Sequence, residues 1–343
     1  MVRDLIKCIN QQTFILVIVS AWIWLPLSAQ EQFHLTQFIY SAHAINPAFS
    51  GVEDQVNVHA GLRRQWTSAN NAPLTHYAGI KGSLDGFKRT LSDKRSLRMS
   101  VPRLYNRMQF EPGNVAHGLG AYFSTDRQGP FNRTSIYFSY AYIYTMSRSF
   151  KISMGLSGHL GVQRFNQDRV SVYNPAMDQV YQGYINGGGS KTDLGLNLGV
   201  LLYGKNLFLG YSTHGLAETT LNNINVEDID QGLYHFVIAG YNLRLNNQLT
   251  LQPSALAKYN QYDKLTVDYL AKLKFRELIW VGLGYRDEDA VLALFGFMIE
   301  EKLHLSYSYD APLNTIGSEA RGSHELVLAF RIYNDRVSKP FLW

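Results

Sequence analysis

The chain has 343 residues, room for one large domain or two small ones. Charged residues make up 17% of it, below the roughly 25% of soluble domains, yet the mean hydropathy is only −0.16, which excludes a bundle of membrane-spanning helices. The net charge of +5 is small and its basic residues are spread over the chain, so it gives no reason to expect a nucleic-acid partner. Tyr (22), Phe (18) and Gly (28) are plentiful. Together with low charge and short alternating runs, they suit an all-β fold: a transmembrane antiparallel outer-membrane β-barrel. A secreted β-sandwich shares part of this profile and is the competing reading.

Residues 1–29 read as a signal peptide. Arg3 and Lys7 give a basic start, Phe14 to Leu25 an apolar core, and Leu27-Ser28-Ala29 a small residue before the cut. The apolar run is shorter than the roughly 20 residues of a spanning helix. Cleavage after Ala29 is expected, and it removes Cys8, the single cysteine. The mature chain then has no disulfide, thiol nucleophile, Cys-bound metal or lipid-anchoring cysteine.

Residues 30–53 form an N-terminal segment with turn pairs at Asn46-Pro47 and Ser50-Gly51. Such a segment is a surface loop or, in a barrel, an inward-folded plug. The barrel itself is expected over 54–333. Gln55 to Trp66 alternates, with Val56, Val58, Ala60 and Leu62 on one side and Asn57, His59, Gly61 and Arg63 on the other. Leu74 to Leu84 pairs back. Residues 85–115 break the rhythm and carry Lys88, Arg89, Lys94, Arg95, Arg98, Arg103 and Arg107. They read as a basic periplasmic insertion: a solvated loop, or a docking surface for an acidic or peptidoglycan-associated partner.

Ile136, Phe138, Tyr140, Tyr142 and Tyr144 share one face, with Ser135, Tyr137, Ser139 and Ala141 opposite. Across a tight turn, Ile152, Met154, Leu156, Leu160 and Val162 oppose Ser153, Gly155, Ser157, His159, Gly161 and Gln163. A lipid-facing apolar side and a polar lumen explain this better than a sandwich, and the tyrosines fit an interfacial girdle. Phe165 to Lys191 reads as a long loop. Its Gly187-Gly188-Gly189 lacks the strand and helix context of a phosphate cradle. Strands are expected at Asp193 to Tyr203 and Leu207 to Thr213, then a long loop to about Asp230. Leu233 to Leu245 and Leu249 to Tyr259 make a hairpin whose Asn246-Asn247 turn tolerates positive φ. Lys264 to Phe275, Leu278 to Tyr285, Ala290 to Ile299, Leu303 to Tyr309 and Glu325 to Tyr333 complete the set. In the last, Leu326, Leu328, Phe330 and Ile332 oppose Glu325, Val327, Ala329 and Arg331, as in a strand that closes a barrel. The tally is about 14 strands, even as bacterial barrels require, with a tail at 334–343. Short turns alternate with mostly longer loops, which puts both mature termini in the periplasm.

Tests for chemistry find no enzyme, no cofactor and no metal site. His324-Glu325 is not followed by a second His at helical spacing. Asp287-Glu288-Asp289 lacks the alternating ligands of a calcium loop. His159, His235 and His304 stand isolated on strands. A barrel hydrolase would need a serine within reach of His159 or His235.

Several stretches in order carry a resemblance. They are Gln37-Phe38-Ile39-Tyr40, Asn46-Pro47-Ala48-Phe49-Ser50-Gly51, Arg64-Gln65-Trp66, Gly118-Leu119-Gly120, Asp126-Arg127-Gln128-Gly129-Pro130, Tyr137 to Tyr142, Asp193-Leu194-Gly195, Ser308-Tyr309-Asp310 and Gly322-Ser323-His324-Glu325. On these the sequence resembles the PorP/SprF family of outer-membrane proteins of the type IX secretion system. The basic stretch 85–115 departs from the family pattern, so no function for it is inherited. The resemblance implies a cell-surface export role linked to gliding motility. The barrel would anchor or receive secreted proteins of the gliding-adhesin type through their C-terminal sorting domains. Its other partners would be outer-membrane lipid and other type IX secretion or gliding components at the periplasmic face. Asn46, Pro47, Gly51, Arg64 and Trp66 are expected to shape a plug or the lumen wall. Asp310, Gly322, His324 and Glu325 are expected to hold the last outer loop against the barrel. A purely structural role is the alternative for these residues. For the whole chain the alternative is a porin or fatty-acid-type transport channel.

Overall fold

Side-chain alternation sets the wall. The computed structural model describes residues 35–53, 55–68, 71–92, 111–170, 172–186, 188–221, 232–261, 263–300, 302–313 and 321–332. The expected signal peptide, the tail 334–343 and most of the basic stretch (93–110) lie outside the described residues.

The strands are β1 (Val56–Arg64), β2 (Leu74–Ser83), β3 (Val115–Gln128), β4 (Phe131–Thr145), β5 (Phe150–Phe165), β6 (Ser190–Gly204), β7 (Leu207–Thr220), β8 (Tyr234–Tyr241), β9 (Leu243–Arg244), β10 (Leu249–Asn260), β11 (Asp263–Phe275), β12 (Ile279–Arg286), β13 (Ala290–Ile299), β14 (Leu303–Pro312) and β15 (Ser323–Ile332). Each pairs antiparallel with its neighbours. β8 and β9 both lie against β10 and form one strand interrupted at Asn242, so the wall is 14 strands around. β15 pairs with β1, from Val56 opposite Ile332 to Arg64 opposite His324, and closes the cylinder. Closure removes the free edges that hydrocarbon cannot satisfy.

The outer face is apolar. Phe138, Leu156, Leu198, Val237, Leu283 and Leu328 are exposed, while Ser139, Ser157, Asn197, Ser308 and Glu325 face inward and are buried. Among the described residues no helix is long and apolar enough to cross a membrane, so any crossing is by strands. Strands β3 to β7 run 14 to 16 residues, more than the roughly 9–11 a tilted spanning strand needs.

Five local features differ from expectation. β3 is a full strand that alternation leaves unnamed, because small residues (Ala116, Gly118, Gly120, Ala121) sit at both parities. β7 continues past Thr213 to Thr220: a register shift opposite Leu196 and Leu198, with Gly215 at φ +79°, inserts two extra residues that interrupt the alternation while the same parity stays inward. The stretch between β5 and β6 is not all loop, since it holds α1 (Gln179–Asn186). Likewise the basic stretch opens with α2 (Leu84–Ser92), where Ser83 Oγ accepts from Gly86 N at 2.9 Å. The Asn246 turn works through its side chain, which accepts from Gln248 N and Leu249 N at 2.8 Å each. Positive φ appears instead at Arg276 (50°) and Glu277 (59°) in the β11–β12 turn.

If the outer face lies in hydrocarbon, Leu328→Arg should cost about 2–4 kcal/mol when folded in a bilayer. Urea unfolding in lipid vesicles measures it. A loss under about 0.5 kcal/mol, the scatter of a plain surface substitution, would mean that this face is not in lipid.

Candidate functional site

Residues 35–53 lie inside the cylinder, and every one of them is buried. A one-turn helix, α3 (Ala42–Ile45), leads into a 3-10 turn (Pro47–Phe49). Asn46 joins them. Its Oδ1 accepts from Ala48 N at 2.9 Å, and its Nδ2 donates to Val200 O at 3.1 Å and Tyr211 O at 3.2 Å. A helix this short cannot hold itself, and the wall supplies its missing partners. Ser212 Oγ donates to Ile45 O at 2.7 Å, His214 Nε2 to the same oxygen at 2.6 Å, and Ser153 Oγ to Ala48 O at 2.8 Å. Ser50 and Ser139 hydroxyls bond at 2.7 Å.

The approach is close because the wall lacks side chains there. A Cβ on Gly155 would lie 2.2 Å from Ala48 N, and one on Gly51 would lie 2.4 Å from Gly118 Cα. Only glycine permits such backbone contact.

The front of the segment meets an ion network. Thr36 N donates to Glu325 Oε2 at 2.8 Å, and Thr36 Oγ1 donates to Asp310 Oδ2 at 2.7 Å. Arg63 Nη1 donates to Thr36 Oγ1 at 2.8 Å. The Arg63 guanidinium spans Asp310 (2.7 Å) and Glu325 (3.3 Å), and Tyr77 OH donates to Glu325 Oε1 at 2.6 Å. Arg286 extends the network to Asp310 (3.3 Å) and Asp268 (2.9 Å), and Lys258 reaches Asp268 at 3.5 Å. Buried charges persist only when paired this way. At the opposite end of the strands the inner face is basic. Lys81, Lys272, Lys274, Lys302 and Arg331 are buried there, with Glu53 as a carboxylate nearby in the chain. Lys272 Nζ lies 4.6 Å from the centre of the Trp280 ring.

The structure brings Asn46, Pro47, Gly51, Asp310 and Glu325 together inside the barrel, at or against the inner segment. The last two hold that segment, not the last outer loop. Arg64 and Trp66 do not join them, because both are exposed. Strand alternation turns Arg64 outward and sends its neighbour Arg63 in. His324 also faces outward, where its Nδ1 bonds Tyr307 OH at 2.5 Å. Gly322 sits under Tyr309 at φ +38°, where a Cβ would lie 2.5 Å from the hydroxyl. Its carbonyl accepts from Thr67 N at 3.3 Å, linking the last loop to the first. Sequence alone does not single out Thr36, Arg63, Tyr77, Asp268 and Arg286 as site residues. For Arg63, Asp268 and Arg286 the signal is a charge at inward parity in an otherwise apolar strand.

The three strand histidines all have partners, His304 meeting the Tyr40 ring edge-on with centroids 6.5 Å apart. His159 Nε2 bonds Asp193 Oδ2 at 3.2 Å, and His235 Nδ1 bonds Tyr211 OH at 2.8 Å. Ser157 Oγ accepts from Asn197 Nδ2 at 3.1 Å, not from a histidine.

The model of the family described as type IX secretion system membrane protein PorP/SprF matches residues 27–330. No curated protein matches in sequence. Among solved structures, the chain is similar to the Ralstonia pickettii toluene transporter TbuX (TM-score 0.45, 10% identity, covering 85% of this chain and 93% of that one). It is also similar to the Acinetobacter baumannii outer membrane protein Omp33 (0.43, 9%, 82% and 99%). A third is the translocator domain of the autotransporter NalP from Neisseria meningitidis (0.39, 10%, 86% and 93%).

Two substitutions test the site. Arg63→Ala leaves Asp310 and Glu325 without their shared cation and should cost about 3–5 kcal/mol in urea unfolding. Gly155→Val should unseat Ala48, so that residues 35–53 become cleavable by added protease while the wall still shows heat-modifiable migration. Full protection in Gly155→Val would mean that the close contact does not hold the segment.

Proposed function

The chain belongs to the PorP/SprF family of type IX secretion system membrane proteins, and from that premise we propose that it anchors or receives secreted surface proteins through their C-terminal sorting domains. As a family member it is a barrel component of type IX secretion, and its apolar outer face suits the outer membrane.

One observation carries the reading: the lumen holds a segment of the chain itself, attached along its length by the wall. A barrel filled in this way works as a platform, with residues 35–53 as its plug. Binding then falls to the ends. The connection between β5 and β6 offers exposed Tyr173 and Met177. It is braced by Phe131, Phe165 and Tyr184, whose rings lie 5.1 to 5.5 Å apart. Aromatic and Met side chains on a rigid base are the usual anchors of a protein partner. At the other end, apart from the basic stretch between β2 and β3, the connections are short: Lys205 and Asn206 between β6 and β7, residues 276–278 between β11 and β12. Barrels put short turns in the periplasm, so β1 begins and β15 ends on that side, beside the other secretion or gliding components, while Thr36 lies toward the loop side, against Arg63 and Asp310.

A tagged chain isolated from its native membranes should bring down a protein bearing a type IX sorting domain, or other secretion components. Tyr173→Ser with Met177→Ser should lower client recovery severalfold and leave folding intact. Recovery of neither class of partner, together with steady conductance of the purified protein in planar bilayers, would overturn the reading in favour of a transport channel.

A further inference from the structure

We propose that His159, Asp193 and Glu218 form a binding site for a divalent transition-metal ion of the zinc type at the loop-side mouth of the barrel. One ligand atom from each residue lies within 4.8 Å of the others. Strand register explains the convergence. Gly195 on β6 sits directly opposite His159 on β5 and Glu218 on β7. Residues directly opposite share a face, so the imidazole and the carboxylate flank a position with no side chain. Asp193, two residues back along β6, shares that face.

The vacancy at residue 195 is occupied by the imidazole. A Cβ on Gly195 would lie 2.2 Å from His159 Cε1. The same device repeats beside it: Gly161 is opposite Asp193, and a Cβ there would lie 2.4 Å from Asp193 Oδ2. Tyr137, opposite His159 on β4, stacks on the ring with centroids 5.2 Å apart. Two glycines and a tyrosine thus hold the pair in place.

The His159 side chain is 93% buried, being 7% exposed. Its Nε2 faces Asp193, and its Nδ1 has no hydrogen-bond partner. His43 and His59 also leave one ring nitrogen unbonded; what sets His159 apart is the pair of carboxylates within reach of its ring. The donor chemistry suits zinc, which takes His nitrogen and carboxylate oxygen. Metal bonds of about 2.0–2.2 Å in a tetrahedron set ligand atoms roughly 3.3–3.5 Å apart. The His159 Nε2 to Asp193 Oδ2 separation is already 3.2 Å. Glu218, exposed at the rim, can swing to complete the set, and water fills the fourth position. Two carboxylates balance the charge of a divalent ion. Arg133 competes, since its Nη2 lies 3.3 Å from Asp193 Oδ2.

Such an ion would join β5, β6 and β7 beneath the two connections that follow β5 and β7. This claim is independent of the client-binding reading.

The test uses the full-length protein in detergent, stripped with a chelator and titrated with zinc chloride by calorimetry. A single saturable site is expected. His159→Ala and Glu218→Gln should each weaken it by roughly tenfold or more, and Arg133→Gln should tighten it severalfold by removing the competing cation. His235→Ala, on the outer face, should leave it unchanged. Heat-modifiable migration shows which variants are folded; Glu218→Gln, at the exposed rim, carries the test if His159→Ala does not fold. No saturable binding, or binding equal in the native protein and Glu218→Gln, would overturn the proposal. Weaker binding in Arg133→Gln would overturn it too, because the cluster would then be an ion-pair network only.

Discussion

Arg63 stands where the sheet meets itself. It lies directly opposite Glu325 across the β1–β15 pairing that closes the cylinder. Its guanidinium also reaches Asp310 on β14 and the hydroxyl of Thr36 on the inner segment. Closure and filling therefore share one buried cation. Taken alone, a buried ion pair adds little stability, because desolvation offsets attraction. Here the carboxylates are also fed by Tyr77 OH and Thr36 N. The network is satisfied from several elements at once, and it specifies one register at the seam: a one-residue slip of β15 would send Glu325 into the lipid face.

Much of the wall was legible in the sequence because a membrane barrel shows hydrocarbon on one side and polar groups on the other. Leu326, Leu328 and Glu325 sort as the period of two requires. The pattern fails where the wall has another duty. β3 contacts the inner segment through Gly118, so its inner face is small, and small residues carry little hydropathy signal. β7 hides its end behind Gly215, where two extra residues interrupt the alternation. Arg64 and Trp66 illustrate the same sensitivity. A stretch can be correctly singled out and the functional side chain still be the adjacent one, Arg63.

The site was legible only in part for a different reason. Asn46, Asp310 and Glu325 stand in runs that can be recognised locally. Their partners cannot, because Thr36 and Asp310 are 274 positions apart and meet only after every intervening register is set. The His159, Asp193 and Glu218 cluster depends equally on register: it needs Gly195 to face both strands at once. Glycine in a strand weakens it by roughly 0.5–1 kcal/mol relative to alanine. The wall carries that cost at Gly155, Gly161 and Gly195, where something else occupies the space.

The two halves of the structure depend on each other unequally. The strands complete their backbone hydrogen bonds by pairing with one another around the cylinder. The inner segment has no such pairing. Its single helical turn lies far below the length at which helices persist alone, and its carbonyls at Ile45 and Ala48 rely on Ser212, His214 and Ser153. Its two ends are also held by unlike forces. Thr36 is bound to charged groups, whose hydrogen bonds contribute about 1.5–3 kcal/mol each, whereas Asn46 and Ser50 make neutral bonds of about 0.5–1.5. Bond for bond Thr36 is therefore the stronger attachment, and releasing it would strip Asp310 and Glu325 of a donor while they remain buried. The same ion network that seals the wall thus acts as the tether of the segment it encloses.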